Sequence, residues 1–310
     1  MKIFFACDVH GSEKTFMKFV NAGKFYKVDA LILGGDLTGK MIVLIVEQPD
    51  GTRKANFLGS DVIVRNQTEL LELEKNIRYT GYYPYHTSVA GKEELDSNPS
   101  KVHDLFSQLM IESMRRWVKI AEERLKGSGI ICFLMPGNDD RLEIDSVLKE
   151  SDYIVNPEGI VVDLDESHEM ISTGYTNVTP WKAPRDISEE ELSARIESMA
   201  SRVKNMHNSI FQFHCPPYGT NIDPAPKIDE KMRPSLNETV PAGSKAVRES
   251  IEKYQPLLGL HGHIHESKGV HRLGRTLCIN PGSQYSEGIL NGALLCIEHG
   301  RVKSYLPTTG

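Results

Sequence analysis

Residues 260–265 read LHGHIH, which puts His261, His263 and His265 at every second position around a glycine. Imidazole is the commonest side-chain ligand of divalent transition metals, and such an ion takes more ligands than one strand end supplies. A metal site here therefore needs partners elsewhere in the chain. Candidates stand at the ends of four other apolar runs: Asp8 and His10 in ACDVHG, Asp36 in LGGDLTG, Asn138 and Asp139 in MPGNDD, and His214 in FQFHCPP. Taken singly, each has an ordinary structural use as a helix cap, a turn residue or a hydrogen-bonded core histidine. Five such groups, each closing a run of strand length, point instead to one shared site.

The runs that end in these residues must be the strands that position them. KIFFAC at 2–7 and VDALILGG at 28–35 flank a stretch with helical spacing from Phe16 to Val20, which predicts a strand–helix–strand crossover with parallel strands. GIICFLMPG at 129–137 follows a helix expected over 101–126 and precedes another from Arg141, where Asp140 and Glu143 have the spacing of a capping box. Strands are expected at 160–164, 209–214, 257–262, 276–283 and 293–306, with one helix opened by a capping box at Ser188 and Glu191 and another over 244–254. Open α/β sheets bind ligands beyond the carboxyl ends of their strands, so side chains at those ends can converge on one crevice.

Two segments interrupt this rhythm. Residues 40–99 begin with two strand-like runs around a Pro-Asp-Gly turn, followed by a charged helix near 67–78 and the aromatic stretch YTGYYPYH at 79–86. They are expected to form an inserted cap of hairpin plus helix within a single domain spanning 1–310. The aromatic stretch suits interface packing in a homo-oligomer formed through the insertion, or stacking on a base. Residues 215–243 hold six prolines with little periodicity and are expected to be an irregular functional loop.

Composition limits the function classes. The chain has 310 residues, 39% hydrophobic and 25% charged, in the range of soluble globular proteins. The apolar runs IFFAC (3–7) and MIVLIV (41–46) are too short for a signal-peptide core or a membrane span, so a cytoplasmic protein without a membrane partner is expected. Five cysteines without C-x-x-C spacing predict reduced, buried thiols; Cys215, beside His214, is the one to watch. A net charge of −6 and dispersed basic residues argue against duplex nucleic acid as a partner.

In order, D-x-H, G-D, G-N, a lone H and G-H-x-H, running from Asp8 to His265, this pattern resembles the calcineurin-like metallophosphoesterase superfamily. NPGS at 280–283 is similar to a loop of its bacterial and archaeal members. The resemblance implies an α/β fold in which two packed mixed β-sheets are flanked by helices, an αββα sandwich. It implies that Asp8, His10 and His265 hold one divalent metal, that Asn138, His214 and His263 hold a second, and that Asp36 bridges both. His261 would then be a strand residue or stand behind the ligands. Carboxylate, amide and imidazole ligands without thiolate suit Mn, Fe, Zn or Ni. Two such ions about 3.5–4 Å apart can lower the pKa of a shared water, orient it in line and neutralise phosphoryl charge. The implied activity is hydrolysis of a small phosphorylated substrate, a phosphodiester or nucleotide, by a metal-bridging hydroxide.

One position departs from the family. After Gly-Asn the usual residue is a histidine held to protonate the leaving oxygen, and here it is Asp139. Asn138 and Asp139 are the candidate catalytic residues, yet an aspartate beside two dications is poorly placed to keep a proton. A turn role for Asp139 is as well supported as a catalytic one. Two alternatives stay open: a metal-binding scaffold of the same fold without turnover, and a nuclease. The complete ligand set opposes the first, and the negative charge without a basic stripe opposes the second.

Overall fold

Strand-length runs without polar alternation need cover on both faces, and the layers of this molecule provide it. The computed structural model describes residues 1–229, 231–298 and 300–310. The chain forms β1 (Lys2–Ala6), α1 (Glu13–Tyr26) and β2 (Ala30–Gly34), then enters the insertion with β3 (Ile42–Glu47), β4 (Arg53–Phe57), β5 (Ser60–Val64), α2 (Gln67–Tyr79), β6 (Tyr83–Ser88) and α3 (Val89–Ser97). The long α4 (Pro99–Leu125) leads back to β7 (Ile131–Met135), α5 (Ile144–Leu148) and β8 (Ile154–Val155). Next come β9 (Val161–Asp163), β10 (Glu169–Thr173), β11 (Thr176–Asn177), β12 (Asp186–Ile187), α6 (Glu189–Ala200), β13 (Ile210–Phe213), β14 (Pro224–Ile228) and β15 (Pro234–Pro241). The last elements are α7 (Lys245–Tyr254), β16 (Leu258–Leu260), β17 (Gly269–Leu273), β18 (Thr276–Asn280), β19 (Asn291–Glu298) and β20 (Arg301–Thr309).

The first sheet has the order β20-β19-β1-β2-β7-β8, parallel from β1 to β8 and antiparallel at β19 and β20. The second has the order β17-β18-β16-β13-β10-β9, parallel through its four central strands with antiparallel edges. Ile3, Phe5, Ile32 and Phe133 of the first sheet meet Met170, Ile210, Leu258 and Ile279 of the second in a shared core. The alternate residues Phe4, Leu31 and Leu33 face the other way, onto Phe16, Phe19 and Trp117 of α1 and α4. On the far side, Leu192 and Ile196 of α6 and Val247 and Ile251 of α7 cover Phe211 and Phe213. The result is the expected αββα sandwich, with every ligand-type residue at a carboxyl strand end.

In the insertion, β3 to β6 make a separate sheet of order β5-β4-β3-β6, in which β6 lies parallel to β3. With α2 it encloses its own small core of Val43, Ile45, Leu70, Leu73 and Ile77. Hairpin plus helix is therefore an incomplete description: the aromatic stretch supplies β6, and α3 follows it. Residues 215–243 are not irregular throughout, because β14 and β15 pair as an antiparallel ribbon. Both strands of a two-stranded ribbon are edges, where proline is tolerated. Ser188 and Glu191 do form a capping box. Asp140 and Glu143 do not: α5 begins after Glu143 without a side-chain cap, and Asp140 is claimed by donors from other loops. All five cysteines are free, and four of them are buried. Among the described residues no helix is long and apolar enough to cross a membrane.

Candidate metal centre

The loops beyond β1 and β2 stay zipped after the strands end. The N–H groups of Asp8, His10 and Gly11 donate to the carbonyls of Gly35, Asp36 and Leu37 at 2.9, 2.9 and 2.8 Å. Within these loops Asp8, His10 and Asp36 have φ of 55°, 39° and 53°, and His263 has 68° in its own loop. A left-handed conformation costs a non-glycine residue roughly 1–2 kcal/mol, and such residues gather where a site must hold side chains in place. Gly35, with φ of 115°, has to be glycine: a Cβ there would lie 2.2 Å from His214 Nδ1.

Ligand-type atoms of Asp8, His10, Asp36 and His265 all lie within 4.8 Å of one another. His10 Nε2 is 3.0 Å from His265 Nε2 and 3.5 Å from Asp36 Oδ2, and His265 Nε2 is 3.5 Å from Asp8 Oδ1. Across the crevice His214 Nε2 is 3.3 Å from Asp36 Oδ1 and 3.7 Å from Asp8 Oδ1, while His263 Nδ1 lies 2.9 Å from Asn138 Oδ1. Asp36 thus turns one oxygen toward His10 and the other toward His214. The seven residues expected as ligands meet in one place, with Asp139 at the rim, its side chain 32% exposed. His261 stands behind them. Its Nδ1 donates to the carbonyls of Phe213 and Cys215 at 2.8 and 3.1 Å, one on each side of His214.

Removal from water dominates the electrostatics. It pushes Asp36 above the usual carboxylate range, with the charges of Asp139 and Asp8 adding and His214 opposing. Burial would also raise Asp8, but His265, His214 and His10 outweigh it and hold that carboxyl well below its usual range. For His214 burial is outweighed by Asp36 and Asp8, which favour its charged form. Burial lowers His10, helped by the charge of Lys40, and draws His263 down to about 4.

These residues fit a divalent metal. His10 Nδ1 and His214 Nε2 are buried without a hydrogen-bond partner, although buried polar atoms are normally satisfied. His214 Nδ1 donates to the Gly34 carbonyl at 2.9 Å, which aims Nε2, the atom a metal would take in place of a proton, into the crevice. Carboxylate, amide oxygen and imidazole together are a donor set for borderline-hard cations.

Neighbouring groups fix the candidate ligands. Asp140 Oδ2 accepts from Leu37 N–H at 2.8 Å and Gly137 N–H at 2.7 Å, and its Oδ1 accepts from Thr38 N–H at 2.8 Å and Thr38 Oγ1 at 2.6 Å. One carboxylate therefore ties the loop of Asp36 to the loop of Asn138. Asn138 Nδ2 donates to Asp186 Oδ1 at 3.4 Å, which leaves the Asn138 carbonyl oxygen facing His263. The NPGS loop braces two ligand-bearing loops: Ser283 Oγ donates to the Asp8 carbonyl at 2.6 Å, and Asn280 Nδ2 donates to the Ile264 carbonyl of the histidine loop at 2.9 Å. The insertion rests on the same structure. Ser12 Oγ donates to the Tyr79 carbonyl at 2.6 Å, and a Cβ on Gly81 would lie 2.1 Å from the His10 carbonyl oxygen.

Sequence reasoning missed Lys40, Asp140 and Asp186. Lys40 Nζ lies 2.7 Å from Asp139 Oδ2; its signal was its place directly after the GDLTG motif. Asp140 shows its role only once its donors, up to 103 residues away, are brought near.

Two mixed sheets packed back to back, with ligand-type residues in this order at their carboxyl ends, are the αββα arrangement expected from the sequence. No protein-family model matches the chain. The uncharacterized protein MJ1162 of Methanocaldococcus jannaschii is 30% identical over 154 residues, which are 49% of this chain and 63% of that protein. The chain thus spans less than two thirds of that relative's length. TT1561 of Thermus thermophilus aligns over 100% of this chain and 97% of its own, with a TM-score of 0.53 and 16% identity. A further crystal structure aligns over 100% of this chain and 98% of its own, with a TM-score of 0.60 and 16% identity. At these identities the two structures speak for the fold.

Proposed function

We propose that this protein is a phosphoesterase dependent on two divalent metal ions, one held by Asp8, His10 and His265 and the other by Asn138, His214 and His263, with Asp36 between them. The observation that carries this is the placement of Asp36, with Oδ2 3.5 Å from His10 Nε2 and Oδ1 3.3 Å from His214 Nε2. When bound, the ions would polarise the phosphoryl group and make water more acidic. The chain's own residues do the rest. Tyr285 packs its ring 4.6 Å from that of His10 and 5.9 Å from that of His265, walling one side of the crevice. Asp139 stands where the family's histidine would, engaged with Lys40, so the imidazole that would protonate the leaving oxygen is replaced. Substrates whose leaving group departs readily as an anion suit such a site.

The substrate class is a small phosphodiester or nucleotide, in the cytoplasm, with the insertion choosing among substrates and offering a surface for self-association. The test is a screen with Mn²⁺ against bis(p-nitrophenyl) phosphate, p-nitrophenyl phosphate, cyclic nucleotides and single-stranded DNA. Turnover of small esters that is lost in His263→Ala is expected. Metal uptake without any turnover would make the protein a scaffold, and a marked preference for DNA would make it a nuclease.

A further inference from the structure

Lys40 opens the insertion, yet its side chain reaches back to the centre. Its Nζ is 2.7 Å from Asp139 Oδ2, and its side chain is 45% exposed. Among the described residues Asp139 is the one partner of this ammonium, so two of its three protons are free for a ligand. Its anchor is itself fixed. Asp139 N–H donates to Asp36 Oδ1 at 3.1 Å, and the Asp139 carboxylate lies 3.9 Å from His10 Nδ1. The ammonium is therefore held beside the centre, close enough for its charge to act on His10, His265 and Tyr285.

A lysine beside a carboxylate stays protonated at neutral pH. It offers positive charge and two free N–H donors beside the centre. An alkoxide leaving group needs a proton as the bond breaks; a phosphate leaving group does not, and it already carries the anionic oxygens that an ammonium binds.

Resting on the phosphoesterase reading, we infer that Lys40 binds the leaving phosphate of a substrate with a P–O–P linkage, so that phosphoric anhydrides are the preferred substrate class of this centre. In the step, a water oxygen bonds to the attacked phosphorus and the bridging P–O bond breaks. Its electron pair stays on the leaving phosphate, which Lys40 neutralises, and the proton from water passes to solvent. Asp139 positions Lys40.

The experiment titrates Mn²⁺-loaded protein, freed of excess metal, with methylenediphosphonate, whose P–C–P bridge cannot be hydrolysed, and with methylphosphonate. Wild type should bind the diphosphonate more tightly. Lys40→Met should weaken diphosphonate binding by about tenfold and change methylphosphonate binding by less than about twofold, the difference expected for one lost charge-assisted contact. Lys40→Arg should keep the preference, because it keeps the charge. Equal affinities for both probes in wild type, or an equal loss of both in Lys40→Met, would overturn the assignment. If the protein hydrolyses aryl phosphates while Lys40→Met binds diphosphonate as wild type does, the Lys40 inference fails and the phosphoesterase reading stands. If no metal loads and no phosphate ester is cleaved, the phosphoesterase reading fails and the Lys40 inference goes with it.

Discussion

Replacing Asp140 should damage stability and metal binding together, although the residue touches no candidate metal position. Its carboxylate is fully buried and accepts four hydrogen bonds, three from backbone N–H groups of Leu37, Thr38 and Gly137 and one from the Thr38 hydroxyl. Asp140→Ala strands those three N–H groups, at about 1–3 kcal/mol each when buried without a partner. Water entering the vacated space recovers part of this. A net loss of about 3–5 kcal/mol is therefore expected, at the severe end for a single substitution.

Asp140→Asn separates the polar contacts from the volume. Its oxygen can keep Leu37 and Gly137, while its amide meets Thr38, whose hydroxyl can turn to accept but whose N–H cannot. One stranded donor predicts a loss of about 1–3 kcal/mol. Because the same carboxylate joins the Asp36 loop to the Asn138 loop, metal affinity should fall by about 10- to 100-fold in Asp140→Ala, as when the group that orients a ligand is removed. Urea unfolding of metal-free protein reads the first quantity, and titration against a competing chelator reads the second. If Asp140→Ala stays within about 1 kcal/mol of wild type and binds metal equally well, the ligand loops hold themselves and the bracing role is wrong.

His263→Ala and Asp36→Asn should each lower metal content measured by elemental analysis, Asp36→Asn for both ions; full occupancy in both variants would end the dinuclear assignment. Gly81→Ala, which pairs a φ of 90° with a Cβ 2.1 Å from the His10 carbonyl oxygen, should lose at least about 2 kcal/mol in urea unfolding, and no loss would mean the seam is soft. Asp139→His should raise turnover of alkyl phosphodiesters by about 10²-fold while aryl esters change less, since a general acid contributes most to poor leaving groups. Steady-state kinetics on a matched ester pair checks this, and equal effects on both would show that position 139 is no site for an acid.

The candidate ligand positions were legible because the strands that carry them are buried on both faces. Runs such as FFAC and ICFLM have no alternation to confuse their boundaries; the first stops at Asp8, and the second at Pro136, two residues before Asn138. β10 (EMIST) was not legible, although it lies in the middle of the second sheet. It mixes Glu169 and Ser172 with Met170 and Ile171, and Glu169 tolerates burial only because the N–H groups of Lys204 and Asn205 donate to it. β6 was hidden for a related reason: Tyr83 reads as an interface aromatic until its hydroxyl is seen accepting from Gly39 N–H at 2.7 Å. Asp140 shows how a correct local rule gives a wrong role. The D-x-x-E pattern offers a cap worth about 1 kcal/mol, whereas the folded chain offers the same carboxylate four buried donors, which together outweigh the cap.

The insertion is both separate from the centre and built into it, and the two facts have different physical origins. Its own core of Val43, Ile45, Leu70, Leu73 and Ile77 lets its far side vary without disturbing the sandwich. Its seam cannot vary in that way. Lys40 pairs with Asp139, Tyr83 bonds Gly39, Tyr79 takes the Ser12 hydroxyl, and Gly81 packs on the carbonyl of His10. Displacing the insertion by even one or two ångströms would therefore break several hydrogen bonds at once and move both a candidate ligand and the ammonium. A part joined to these loops at so many points follows them as one body, so the substrate selection proposed for it would come from the shape and charge it holds beside the crevice. Lys40 is the residue through which that charge arrives.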